Sequence, residues 1–143
     1  MKILFFSTLF LALLPGCGSI KQGIEGQLQW VTGNQMPGPG KMPSPAQGIK
    51  REIYIYELLS MADVESKDGF ISQVNKPLIK KVQSNAQGIF QVQLEPGNYS
   101  IIIKELQGLY ANRFDQENHI HPITVKKGEV VKVTIVVDYE AAY

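Results

Sequence analysis

Apolar residues alternate with polar ones through most of the chain. In 89–94, Phe90, Val92 and Leu94 fall on one side and Gln91 and Gln93 on the other, the period of a half-buried strand. In 27–31, Leu28 and Trp30 share a face, with Gly26 in phase just before them. Residues 52–58 carry apolar bulk on both faces, with Ile53 and Ile55 against Tyr54, Tyr56 and Leu58, which predicts an interior strand. The isoleucine-rich 99–106 segment predicts a central strand buried on both sides, and 78–82, 120–125 and 130–139 complete the set. Only 60–66 is a helical candidate, and it is short.

Turn residues separate these runs. Asn85-Ala86-Gln87-Gly88, Glu95-Pro96-Gly97-Asn98 and Lys126-Lys127-Gly128-Glu129 each lie between apolar stretches. Proline presets φ at the second position of a turn and glycine accepts the positive φ that follows, which assigns a positive φ to Gly97. Evenly spaced strands joined by turns predict an all-β fold, a sandwich or barrel, over parallel βαβ units. The 32–48 connection, with four prolines and four glycines, fits neither a helix nor a central strand. Unstructured loops beyond about 12–15 residues are uncommon in compact domains. This one reads either as a solvated spacer or as a partner-docking loop built on Trp30, Met36, Pro37 and Met42.

The N-terminus changes the picture. Met1-Lys2 is a short positive start, residues 3–14 are apolar apart from Ser7 and Thr8, and Pro15, Gly16 and Cys17 follow. That is the layout of a secretory signal peptide over 1–16, well short of the ~20 residues of a membrane span. Leu14-Pro15-Gly16-Cys17 resembles a bacterial lipobox, with Pro15 where Ala, Ser or Thr is commoner. Cys17 is the only cysteine of the chain, so an intrachain disulfide is impossible, and lipidation of Cys17 accounts for it. Cleavage elsewhere, or an ordinary thiol in an uncleaved chain, are the alternatives. Residues 17–22 then form a tether and 23–143 the domain. Gly18, where an aspartate would signal retention, resembles a sorting signal for the outer membrane, which places the protein in the cell envelope facing the periplasm.

Composition narrows the partners. Fourteen basic side chains stand against thirteen acidic ones, and removing Lys2 with the leader leaves thirteen of each. Phosphate contacts need a basic excess, so nucleic acid is set aside. At 143 residues with 44% hydrophobic content, one domain with its own core is expected.

The 87–101 segment, Gly88-Ile89-Phe90 through the Glu95-Pro96-Gly97-Asn98 turn to Tyr99-Ser100-Ile101, resembles the signature of carboxypeptidase regulatory-like domains. The pattern is a glycine, an aromatic, an alternating strand, a proline-glycine turn and an aromatic opening the next strand. Gly23-Ile24-Glu25-Gly26 resembles that family's first strand. Gly33-Asn34-Gln35-Met36-Pro37, Arg51-Glu52 and Ala141-Ala142-Tyr143 resemble lipoproteins of Bacteroidetes type. The resemblance implies a transthyretin-like (prealbumin-like) antiparallel Greek-key sandwich of about seven strands. It also implies a non-catalytic module, without the peptidase activity of the catalytic domains it accompanies elsewhere.

Chemistry-bearing motifs are sparse. No Gly-x-Ser-x-Gly, phosphate loop, His-Glu-x-x-His or Cys-x-x-Cys occurs. In Asp115-Gln116-Glu117-Asn118-His119-Ile120-His121, an extended backbone would point Asp115, Glu117, His119 and His121 together as ligands for a divalent metal. A polar loop with solvated side chains is the plainer alternative. Trp30 with Tyr54, Tyr56, Tyr99 and Tyr110 could form a glycan-stacking platform, although aromatics at strand spacing more often belong to a core. The expectation is a lipid-anchored, non-enzymatic accessory or interaction module without a cofactor, binding envelope proteins or glycans. A carbohydrate-binding domain of a glycan-uptake system and a metal-binding protein using His119 and His121 are the alternatives.

Overall fold

The computed structural model describes residues 18–143; the signal peptide expected over 1–16 and the lipidation expected at Cys17 lie outside the described residues. The strands are β1 (Gly23–Asn34), β2 (Gln47–Gly48), β3 (Glu52–Glu57), β4 (Val64–Lys67), β5 (Phe70–Val74), β6 (Leu78–Gln83), β7 (Ile89–Gln93), β8 (Gly97–Glu105), β9 (Gly108–Tyr110), β10 (Pro122–Val125) and β11 (Val130–Ala142). They form two sheets. In the smaller, β1 is flanked by β11 on one side and by β2 and β7 on the other; in the larger the order is β4-β5-β9-β8-β3-β6, with β10 also on β8.

Sheet against sheet makes the sandwich. Ile24, Leu28, Phe90, Val92, Ile135 and Val137 of the smaller sheet pack on Ile53, Ile55, Ile101 and Ile103 of the larger. The other face of the larger sheet carries a second cluster, Tyr56, Leu59, Ile71, Ile102 and Ile120. Strand β8 is therefore buried on both faces, as its isoleucine run predicts.

Several expectations need correction. The sandwich has more strands than about seven, because short β2, β4, β5 and β9 join the predicted ones. One pair breaks the antiparallel scheme: β1 and β11 run parallel from Gly23↔Val130 onward. Residues 60–66 form no α-helix. The Ser60 N–H donates to the Asp63 carboxylate at 2.8 Å, which starts a single 3-10 turn over Met61–Asp63 before β4 begins. Gly97 does not take a positive φ; it is the first residue of β8, and strand pairing with Val125 holds it extended. The other two turns form as expected. Gly88 and Gly128 have φ of 79° and 73°, and the Asn85 side chain accepts the N–H groups of Gln87 and Ile89 at 3.0 and 2.9 Å.

Candidate functional site

The most elaborate side-chain arrangement lies where β1, β8 and β11 come together. Trp30, Arg51, Lys104, Glu105, Leu106, Tyr139 and Glu140 line an open groove of about 610 Å3. Its floor is Glu105, a carboxylate with only 2% of its side chain exposed. Strand alternation puts Glu105 in phase with Ile101 and Ile103 and so turns it inward. A buried carboxylate needs partners. The Arg51 Nε–H donates to Oε1 at 3.0 Å and the Tyr139 hydroxyl donates to Oε2 at 2.9 Å. Burial, then the hydrogen bond to Glu105 and its charge, push the Tyr139 phenol up to about 12, so it holds its proton and remains the donor.

Aromatic edges fix Tyr139 from three sides. Trp30, Phe70 and Tyr110 meet it at centroid distances of 5.0, 5.1 and 5.2 Å, with Trp30 and Phe70 edge-on, the arrangement that ring quadrupoles favour. The register supplies the room. Between Trp30 and Thr32, β1 advances two residues while β11 advances three, from Val137 to Glu140. The extra β11 residue falls at Asp138 and Tyr139, and bulges of this kind re-aim side chains. Asp138 then accepts Tyr110 at 2.7 Å, Asn112 at 2.7 Å and Tyr143 at 2.6 Å. Burial raises its carboxyl, and these hydrogen bonds outweigh it, leaving it below its ordinary value. Leu106, fully exposed at the β8–β9 turn, stands at the groove's lip.

The proposed docking loop comes apart into two places. Trp30 lies in β1 and belongs to the groove. Met36, Pro37 and Met42 are exposed in the connection before β2, and none of them lines the groove. Of the tyrosines weighed with Trp30, Tyr110 joins the aromatic cluster through Tyr139, whereas Tyr56 belongs to the second core cluster and Tyr54 packs beside it.

The four candidate metal ligands do not share a strand face. Residues 115–119 form a turn, with the Asn118 N–H donating to the Asp115 carbonyl at 3.2 Å. The Asp115 carboxylate accepts the N–H groups of Glu117 and His119 at 2.9 and 2.8 Å and meets His119 Nδ1 at 2.7 Å. Asn118 has φ 62° and His121 φ 37°, so the extended geometry is interrupted twice. His121 is buried, and desolvation with nearby Arg113 pushes its imidazole down to about 4. Among the described residues no three His, Cys, Asp or Glu side chains are placed to hold a metal ion. Asp115 and His119 work as a turn clasp.

Sequence pattern alone passed over Arg51, Glu105, Leu106 and Tyr139. Glu105 had a usable signal, a charge in phase with two buried isoleucines. The Arg51 and Tyr139 contacts depend on strands distant in sequence and carry no local mark. No family model, curated protein or solved structure matches the chain.

Proposed function

We propose that the chain is a non-enzymatic interaction module of the bacterial cell envelope, a carboxypeptidase regulatory-like domain held to the membrane by a lipid on Cys17. The observation that carries this reading is the position of the groove relative to the tether. Gly23 opens β1 six residues beyond Cys17, and so short a link reaches only about 20 Å when extended. Gln22 is pinned to the same end of the sandwich: its amide donates to the Leu94 carbonyl at 2.8 Å and accepts the Gly128 N–H at 2.9 Å. Trp30 lies seven residues further along β1, roughly 23 Å at strand rise. The Gln91 amide also donates to the Gly18 carbonyl at 3.4 Å, beside Glu25 in the β1–β7 ladder. A lipid on Cys17 would therefore hold the Gly23 half of β1 near the bilayer and leave the groove, further along β1, open to envelope partners. The groove offers aromatic edges, an exposed leucine and a held guanidinium, a mixture suited to recognition.

Two measurements in the native cells test the two halves. Cys17→Ser should abolish incorporation of labelled palmitate and leave precursor; undiminished labelling overturns the anchor. A photoreactive residue at Leu106 should form discrete crosslinked conjugates that Trp30→Ala diminishes, while one at exposed Glu65 should not. Equal conjugation from both positions overturns the groove. A glycan ligand is the second reading, favoured by Trp30 and Tyr139 standing beside the Arg51–Glu105 pair. A glycan array with the purified protein, compared with Trp30→Ala, separates it from a protein partner.

A further inference from the structure

β11 has only one strand neighbour among the described residues, β1. The parallel register fixes which of its backbone groups are used. The Gly23 N–H donates to the Glu129 carbonyl at 3.0 Å, and Gly23 pairs with Val130. In a parallel ladder a residue bonds to the two neighbours of its partner, so Glu129, Val131, Val133 and Ile135 turn toward β1. Val130, Lys132, Thr134 and Val136 therefore present N–H and C=O outward. The Val136 carbonyl is capped by the Asn112 amide at 3.2 Å. From Val130 to Thr134 the described residues supply no such cap.

A cleft of about 400 Å3 runs beside this open stretch. Val131, Val133, Phe114, Pro122 and Arg113 are among its walls. It exists because the chain crosses between sheets at the 126–129 turn, where the Glu129 N–H donates to the Lys126 carbonyl at 3.1 Å. β10 goes to the larger sheet and β11 to the smaller, and the seam between them stays open. Phe114 is about half exposed at 49%.

We propose that the Val130–Thr134 edge of β11 receives an extended segment of a partner protein, one that alternates apolar and acidic residues. A strand laid along this edge would put alternate side chains into the cleft against Val131, Val133 and Phe114. The intervening side chains would stand on the outer face beside Lys132, an exposed cation that lies opposite Glu25 in the β1 ladder but forms no ion pair with it, leaving its ammonium open on the edge side. Charge complementarity at cross-strand positions then selects an acidic residue. The same lysine argues against a second copy of this chain. Twofold antiparallel pairing through the free stretch would set Val130 opposite Thr134 and Lys132 opposite Lys132, and like charges directly opposed are destabilising. The edge is distinct from the Trp30 groove, so failure at either leaves the other standing.

The test uses the full-length protein in detergent and two fluorescein-labelled peptides, Thr-Val-Glu-Val-Glu-Val-Thr and its lysine counterpart Thr-Val-Lys-Val-Lys-Val-Thr. By fluorescence anisotropy the acidic peptide should bind about tenfold tighter or better, Lys132→Glu should invert the preference, and Thr134→Pro should weaken both by about tenfold. Amide hydrogen exchange should show the Lys132 and Thr134 N–H groups slowed by the acidic peptide, a readout that stands even if the proline variant folds poorly. Equal binding of both peptides, unchanged preference in Lys132→Glu, or unprotected amides at saturating acidic peptide overturns the proposal. Concentration-dependent dimers that protect the same amides without peptide would make the occupant a second copy and overturn the assignment to a partner.

Discussion

A side-chain carbon on Gly88 would stand 2.0 Å from the Leu28 carbonyl oxygen. The two residues are already joined, because the Leu28 N–H donates to the Gly88 carbonyl at 2.7 Å. With φ at 79°, Gly88 also occupies backbone space that side chains resist. It closes the turn that lays β7 against β1, the strand at the centre of the smaller sheet. Gly88→Ala should therefore destabilise the domain by about 2 kcal/mol or more. Gly97→Ala should cost less than about 1 kcal/mol, since its nearest added contacts are Tyr99 ring atoms at 3.5 Å. Urea unfolding followed by circular dichroism measures both, and equal losses would sink the assignment of the strained turn to Gly88.

Glu105 makes a sharper prediction because its two partners differ. Arg51 and Tyr139 each hold one carboxylate oxygen. Tyr139→Phe removes one hydrogen bond and keeps the aromatic packing, for a loss of about 1–2 kcal/mol. Arg51→Met leaves a buried carboxylate with a single donor. The cost should be about 1–3 kcal/mol, held down because the arginine side chain is 37% exposed to solvent. Pairing Arg51→Met with Glu105→Gln should recover part of that loss, since the uncompensated charge is gone. No recovery in this double-mutant cycle would show that Arg51 acts through packing alone.

The strands with alternating or doubly apolar pattern were legible in the sequence, because Phe90-Val92 and Ile101-Ile103 must find the same buried space whatever lies around them. The hairpin of β4 and β5 was not, although Asp68-Gly69 is a strong turn signal and adopts φ of 53° and 84°. Its flanks are polar: Glu65, Ser66, Lys67, Ser72 and Gln73 are exposed, so no alternation marks them. The parallel pairing of β1 with β11 joins residues about a hundred positions apart and leaves no local trace. Asp115, Glu117, His119 and His121 alternate in residue type but not in backbone conformation, since Asn118 and His121 have positive φ. Asp115 competes for the local N–H groups and folds the segment into a turn.

His121 ties stability to pH. Its imidazole is buried, and desolvation followed by the charge of Arg113 pushes it from 6.5 down to about 4. The unfolded chain therefore takes up a proton before the folded one does. The contribution is whole above the unfolded value and is lost as pH falls from about 6.5 to about 4, with an upper bound of roughly 3 kcal/mol. Asp63, Asp115 and Asp138 are all shifted down, so their contributions fade only below their ordinary value of 3.8, which separates the two windows. His121→Leu should flatten unfolding free energy between pH 6.5 and 4.5. Parallel curves for parent and variant would mean that His121 is protonated in the fold.

The connection between β1 and β2 poses the last test. Its ends are held: Asn34 pairs with Ala142 and Gln47 with Trp30. Between them, Met36 is 52% and Met42 92% exposed, so little burial would be lost on removing them. Loop-closure entropy changes by only about 0.6 kcal/mol per halving of length. Replacing residues 36–45 with a four-residue Gly/Ser linker should thus move the thermal midpoint by no more than about 4 °C. If the loop docks a partner, the same replacement should reduce the envelope proteins captured by in-cell crosslinking, because proline-rich chain loses little entropy on binding and methionines supply adaptable contacts. A large drop in midpoint would show that the loop supports the β1–β2 pairing. An unchanged midpoint with unchanged capture would make it a spacer, leaving recognition to the groove and the β11 edge.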